Sequence, residues 1–310
     1  MLFSVLLVHL ASAEEVFIGF KSRIDVSGSD FLIHLCFFSE LSSSSGGAIK
    51  ITGSGIKISI ETSSFRYCSC VALGGAIHTS LTGGLLNLSK LCASNCYTTS
   101  TSGSSGQISY SLGTSSTNNN FNLVSFSRCQ SVASAYQNHG LYTGYATSEI
   151  SNNNSTDNNI NSCSTYGLIN IVKAHVVFTN IINNEAIQYV VFAFHSGIGN
   201  MEYTNIIDNL SNQLYGAFHL TQSNVGTLTH CCLMQNSIKT FDLFSSSLKL
   251  ENCCVYPYTF SRGSATVINV AYTQCAASAI INNIECHRGE SHQLTRKSLF
   301  NIANLVFFIV

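Results

Sequence analysis

Gly46-Gly47-Ala48-Ile49 returns one unit later as Gly74-Gly75-Ala76-Ile77, and this recurrence decides how the chain is read. Degenerate relatives follow at Gly106-Gln107-Ile108, Gly140-Leu141-Tyr142, Gly167-Leu168-Ile169, Phe192-Ala193-Phe194, Gly216-Ala217-Phe218, Asp242-Leu243-Phe244 and Val267-Ile268. Their spacing falls in the range of solenoid repeats. Aligned, they give an apolar column: Ile49, Ile77, Ile108, Tyr142, Ile169, Phe194, Phe218, Phe244 and Ile268. The next column is polar: Lys50, His78, Ser109, Thr143, Asn170, His195, His219, Ser245 and Asn269. Adjacent residues of a strand point to opposite faces, so the first column is expected inside and the second outside.

Each unit carries a second extended segment. Thr179-Asn180-Ile181-Ile182 is followed in the next unit by Thr204-Asn205-Ile206-Ile207, then by Thr229-His230-Cys231-Cys232 and Glu251-Asn252-Cys253-Cys254. Earlier units show Phe65-Arg66-Tyr67-Cys68 and Phe126-Ser127-Arg128-Cys129. One unit cannot bury its apolar column alone, but stacked units bury it against one another. The expected fold is therefore all-β, a right-handed parallel β-helix: a single-stranded solenoid of about ten coils, roughly 45–50 Å long at the spacing of parallel strands. Helical repeats would need amphipathic runs of period 3.6, and none is found.

Composition agrees. Charged residues make up 9% and apolar residues 45% of the 310-residue chain, whose formal net charge is −1. No basic patch marks a nucleic-acid partner. The surface must be covered by Ser, Thr, Asn and Gly instead. Residues 1–13 read as a signal peptide ending in Ala11-Ser12-Ala13, which leaves 14–310 as the repeat domain and makes the expected location secreted or cell-surface. No later stretch has the roughly 18 apolar residues that span a bilayer, so membrane association is expected only through a missing or separate anchor. Two Ser/Thr/Asn-rich stretches, near 98–120 and 147–159, read as loop insertions. Asn87, Asn153, Asn154 and Asn209 head glycosylation sequons.

The Gly-Gly-Ala-Ile runs, with Phe-x-x-Cys and with Asn-Ile-Ile-Asn at 180–183, resemble the GGAI and FxxN repeats of polymorphic outer-membrane proteins. Similar repeats occur in large families of predicted surface proteins of anaerobic parasitic protists. The resemblance spans about residues 30–300. It implies a surface-exposed β-helical region with an adhesive role. The C-terminal membrane barrel of the bacterial members has no counterpart here, so an autotransporter mechanism is not implied.

Candidate chemistry is sparse along the chain. Thirteen cysteines match no zinc ligand spacing. Cys231-Cys232 and Cys253-Cys254 align with Ile206-Ile207, so they are read as core thiols, with inter-coil disulfides as the alternative. Polysaccharide lyases and hydrolases on the pectate-lyase-like fold need clustered carboxylates. Asp25, Asp30, Asp157, Asp208 and Asp242 stand apart, and Asn138-His139-Gly140 reads as a turn. No phosphate loop or GxSxG elbow is present. A carbohydrate-active enzyme is the alternative to a non-catalytic scaffold; no catalytic, cofactor or metal residue is assigned, and the expected partner is a surface glycan or protein. His195 and His219 are expected at one outward position of consecutive coils. They could share a metal or titrate as a pair, but without a third ligand the plain polar column is the preferred reading.

Overall fold

A computed structural model describes residues 15–19, 22–99, 105–131, 138–160, 164–186, 192–211, 216–222, 225–236 and 239–272. Residues 1–13, expected to be a signal peptide, lie outside the described residues. Every described element is a β-strand, and every strand pairing is parallel and runs between consecutive coils. The chain is a right-handed parallel β-helix.

Each coil presents four short strands. Face one is a nine-stranded sheet that opens with Ile24–Ser27, Ile49–Ser54 and Ile77–Thr82 and closes with Phe241–Phe244. Faces two and three belong to the 18-stranded sheet. Thr147–Ser151, Lys173–Val177 and Ile198–Glu202 stack on face two; Asn154–Thr156, Asn180–Ile182 and Asn205–Ile207 stack on face three. Face four is the seven-stranded sheet running from Ser42–Ser45 to Leu210–Ser211. Among the described residues, the coils with a strand on all four faces number about seven, fewer than the ten expected.

The corners explain the short strands. A single residue turns the chain between faces two and three, and it is left-handed in coil after coil: Thr62, Lys90, Leu123, Asn152, Phe178 and Tyr203 have φ of 47–57°. Tyr67, Asn95, Arg128, Asp157, Asn183 and Asp208 do the same between faces three and four, at 52–54°. Such a conformation costs a non-glycine residue roughly 1–2 kcal/mol. It persists because the ladders on both sides fix the backbone. The GGAI motif sits at the remaining corner. Gly74 turns with φ 71°, and a Cβ on Gly75 would lie 2.1 Å from the Gln107 carbonyl. Ala76 and Ile77 then enter the core, fully buried.

The inward column of face one corrects the alignment made from spacing. It reads Ile24, Ile49, Ile77, Ser109, Leu141, Tyr166, Phe192, Phe218 and Phe241. Ile49, Ile77 and Phe218 stand where expected; Ile108 and Phe194 are buried in other positions. Tyr142 is in the outward column, Phe244 and Ile268 are exposed, and Ile268 is a face-two residue. The number of residues between the face-four and face-one strands changes from coil to coil. A slip of one residue exchanges the faces of a strand.

Most of the second expected loop, 147–159, is strand, as is the first from Ser105 onward. Their polar side chains are used inside. Asn119 donates to Thr143 Oγ1 at 2.6 Å, and the Thr143 and Ser148 hydroxyls are 3.3 Å apart, all buried. At the corner after face three, Cys68, Cys96 and Cys129 occupy one inward slot in successive coils, and Asn158, Asn184, Asn209 and Asn236 continue it. Phe-x-x-Cys and the x-x-Asn runs are therefore one structural position. The cysteine alignment also shifts by two residues: Cys232 pairs with Asn205, so Cys231 takes the slot of Thr204 rather than that of Ile206. A slip of two preserves the face, so Cys231 and Cys253 are core thiols as expected. Cys232 lies instead in a small second cluster with Ile207 and Met234.

Candidate functional site

The outward side chains of face two stand in register: Ser59, Asn87, Asn120, Glu149, His175, Asn200, Thr227 and Lys249. Parallel strands place each about 4.8 Å from the next. Asn120 donates to Asn87 Oδ1 at 3.0 Å, and Asn87 donates to Ser59 Oγ at 2.9 Å. The row then changes character. His175 Nδ1 meets Glu149 Oε1 at 2.8 Å, and its Nε2 faces Glu202 Oε1 at 3.6 Å. Glu202 comes from the adjacent outward position on the strand that carries Asn200.

Around these groups lies an open cavity of about 240 Å³, lined by Thr147, Glu149, Lys173, His175, Asn200 and Glu202. One carboxylate is hydrogen-bonded to the imidazole, a second stands 3.6 Å from its other nitrogen, and an ammonium lines the same cavity. A glycosidase needs the scissile bond between its two carboxyl groups. Here the ring of His175 occupies the space between Glu149 and Glu202. The arrangement suits binding through hydrogen bonds better than hydrolysis.

A second polar group lies on face one. Asp242, fully buried, accepts bonds from His219 Nδ1 (2.6 Å), Ser261 Oγ (2.7 Å) and Arg262 Nε and Nη2 (both 2.6 Å). Burial alone would raise its pKa, but Arg262, His219 and Ser261 together hold the carboxyl well below the usual carboxylate range. His195 is not at the same position as His219: it pairs with Thr221, and His219 pairs with Ala193. The rings nevertheless meet diagonally, centroids 5.3 Å apart. Burial and then the His219 charge pull His195 down to about 4. His139 is buried, pulled to about 3 first by burial, and its ring lies where a side chain on Gly167 would stand. Asn138-His139-Gly140 is thus part of the strand Asn138–Gly144 rather than a turn. Among the described residues, no group of three or more His, Cys, Asp or Glu side chains is disposed to hold a metal ion.

The four sequons fall on different sides of the wall. Asn153 and Asn209 are buried and accept backbone N–H bonds, from Val124 at 2.8 Å and from Asn184 at 2.9 Å. A glycan on either would block coil closure. Asn87 and Asn154 point outward and are partly exposed. Of the aspartates named from the sequence, only Asp242 enters a polar cluster. Glu149, His175 and Glu202 belong to no recognisable motif. Each lies one coil from the next, and that recurrence is the signal in the sequence that marks them.

No family model matches the chain, and no curated protein matches it.

Proposed function

We propose that the protein is a non-catalytic, secreted or cell-surface scaffold that binds glycan or protein surfaces in the manner of an adhesin. The observation that carries the reading is the outward row of face two: uncharged hydrogen-bonding side chains in register over successive coils, opening into the cavity at His175. A rigid wall presents such groups without the entropy cost of ordering them on contact. Cys92 and Cys254 are disulfide-bonded, which suits an oxidising, extracellular compartment. The low charge suits recognition by hydrogen bonds rather than by long-range steering.

The test is binding of the purified full chain to a glycan array and to intact cells, together with surface labelling of the cells that produce it. Saturable binding without release of reducing sugar is the expected result. Release of new reducing or unsaturated ends from a polysaccharide panel would instead establish the carbohydrate-active enzyme.

A further inference from the structure

We propose that the face-two cavity is a subsite for a single uncharged hexose unit of a larger glycan; this rests on the reading of face two as a binding wall and names what one part of it holds.

Four observations converge. First, the cavity gathers polar groups that the protein leaves unused. The Lys173 ammonium, the Asn200 amide and the Thr147 hydroxyl have no hydrogen-bond partner among the described residues. Glu149 and Glu202 each engage His175 through Oε1, which leaves Oε2 for a ligand. A carboxylate accepts two hydroxyls, an amide gives both donors and an acceptor, and an ammonium gives three donors. Adjacent ring hydroxyls, each both donor and acceptor, complement that set.

Second, two carboxylates and one ammonium line the cavity, so both signs of charge are present and neither a strongly anionic nor a strongly cationic ligand is matched throughout. An acidic sugar would bring its carboxylate against Glu149 and Glu202. An amino sugar would bring its cation against Lys173.

Third, the cavity has an apolar rim. Ile198 pairs with Lys173 in register, Val225 pairs with Ile198, and the two are 50% and 53% exposed. Exposed aliphatic groups beside a polar pocket are where the C–H face of a pyranose would rest. Fourth, about 240 Å³ is below the roughly 300–1,000 Å³ of sites for drug-sized ligands. One ring fits, while the rest of a glycan would lie along the polar row.

His175 is a positioning residue in this scheme. By bonding to Glu149 and standing 3.6 Å from Glu202 it holds the carboxylates in place before the ligand arrives, so binding does not have to order them.

Saturation-transfer NMR and calorimetry on the full chain test this, with methyl glucoside, galactoside, mannoside and N-acetylglucosaminide as probes. Glucosamine and N-acetylneuraminic acid serve as charged comparisons. At least one neutral glycoside should bind, at millimolar strength, more tightly than either charged sugar. Asn200→Ala should weaken it at least tenfold with an unchanged melting temperature. Lys173→Ala should weaken it less and improve glucosamine. Neutral glycosides that fail to bind while the array remains positive would place recognition elsewhere on the wall and overturn the subsite alone. An array negative throughout, with no binding to intact cells, would overturn both readings. Binding indifferent to Asn200→Ala, or a preference for either charged sugar, also overturns the subsite.

Discussion

The side-chain amide of Asn184 donates to Oδ1 of Asn209 at 3.1 Å, and the same oxygen accepts the Asn184 backbone N–H at 2.9 Å. The relation repeats from Asn158 to Asn184 and from Asn209 to Asn236. Each buried amide closes the corner of the coil before it. Asn209 also donates to the Ile181 carbonyl. Asn209→Ala therefore leaves a buried N–H and a buried carbonyl without these bonds, at about 1–3 kcal/mol each. Urea denaturation should show a loss of about 2–6 kcal/mol on that basis. A loss too small to measure would mean that the ladder does not hold the coils.

The paired glycines make a different prediction. A Cβ on Gly75 meets the Gln107 carbonyl oxygen at 2.1 Å and that of Tyr97 at 2.7 Å, both backbone. Gly75→Ala should cost about 1–3 kcal/mol or more by overpacking. Gly55 turns with φ 66° but has nothing within 4 Å of its Cβ. Gly55→Ala should cost only the left-handed strain, about 1 kcal/mol. Equal melting temperatures for the two variants would refute close coil contact as the reason for the motif.

Stability should fall with acid before any carboxylate titrates. Burial holds His139 down to about 3 and His78 and His195 to about 4. In the unfolded chain a histidine titrates near 6.5. Below that pH the unfolded state binds protons that the fold refuses, so the histidine contribution to stability declines as pH drops from about 6.5 to about 4 and levels off near 3. Asp242 acts separately: its depressed pKa contributes stability above the ordinary carboxylate range and loses it below. Denaturation midpoints measured from neutral pH down to about 4 should fall steadily, and His195→Gln should flatten part of the slope. A flat profile for the parent chain would contradict the burial of these rings.

The thiols can be counted. Cys36, Cys68, Cys70, Cys96, Cys129, Cys231, Cys232 and Cys253 are free and buried. The neighbouring Cys96 thiol and burial push Cys68 up, and burial pushes Cys70 and Cys232 up to about 11. Thiolate is the reactive form, so Cys68, Cys70 and Cys232 should resist alkylation in the native protein at mildly alkaline pH. Denatured without reductant, these eight should label fully, and Cys92 and Cys254 only after reduction. Mass spectrometry of the labelled peptides decides it. Cys163, Cys275 and Cys286 lie outside the described residues.

The architecture is legible because two units keep the full Gly-Gly-Ala-Ile run, where a turn and a close backbone approach both demand glycine. The register is not. Between Gly106 and Ser109 the ladder shifts by a bulge, and alignment by spacing then sets Ile108 opposite Ile77 when Ser109 stands there. The polar stretches mislead for a related reason: composition says that Asn119, Ser148 and Asn158 are hydrophilic, but not that partners in the next coil satisfy them inside. Glu149, His175 and Glu202 are invisible as a cluster, since each sits a coil from the next and only the register brings them together.

The inter-coil hydrogen bonds run along the rod, and this gives the molecule a mechanical direction. A force applied along the axis opens those bonds one after another, as a zipper opens, and needs to break only one coil's ladder at a time. A force across the axis loads a whole ladder at once in shear. A coil of roughly 26 residues, peeled from an end, gives up about 4.8 Å of rod and releases about 85–90 Å of extended chain. Pulled from its ends, the rod should lengthen in many small steps and yield early; pulled from the side, it should hold and then fail abruptly.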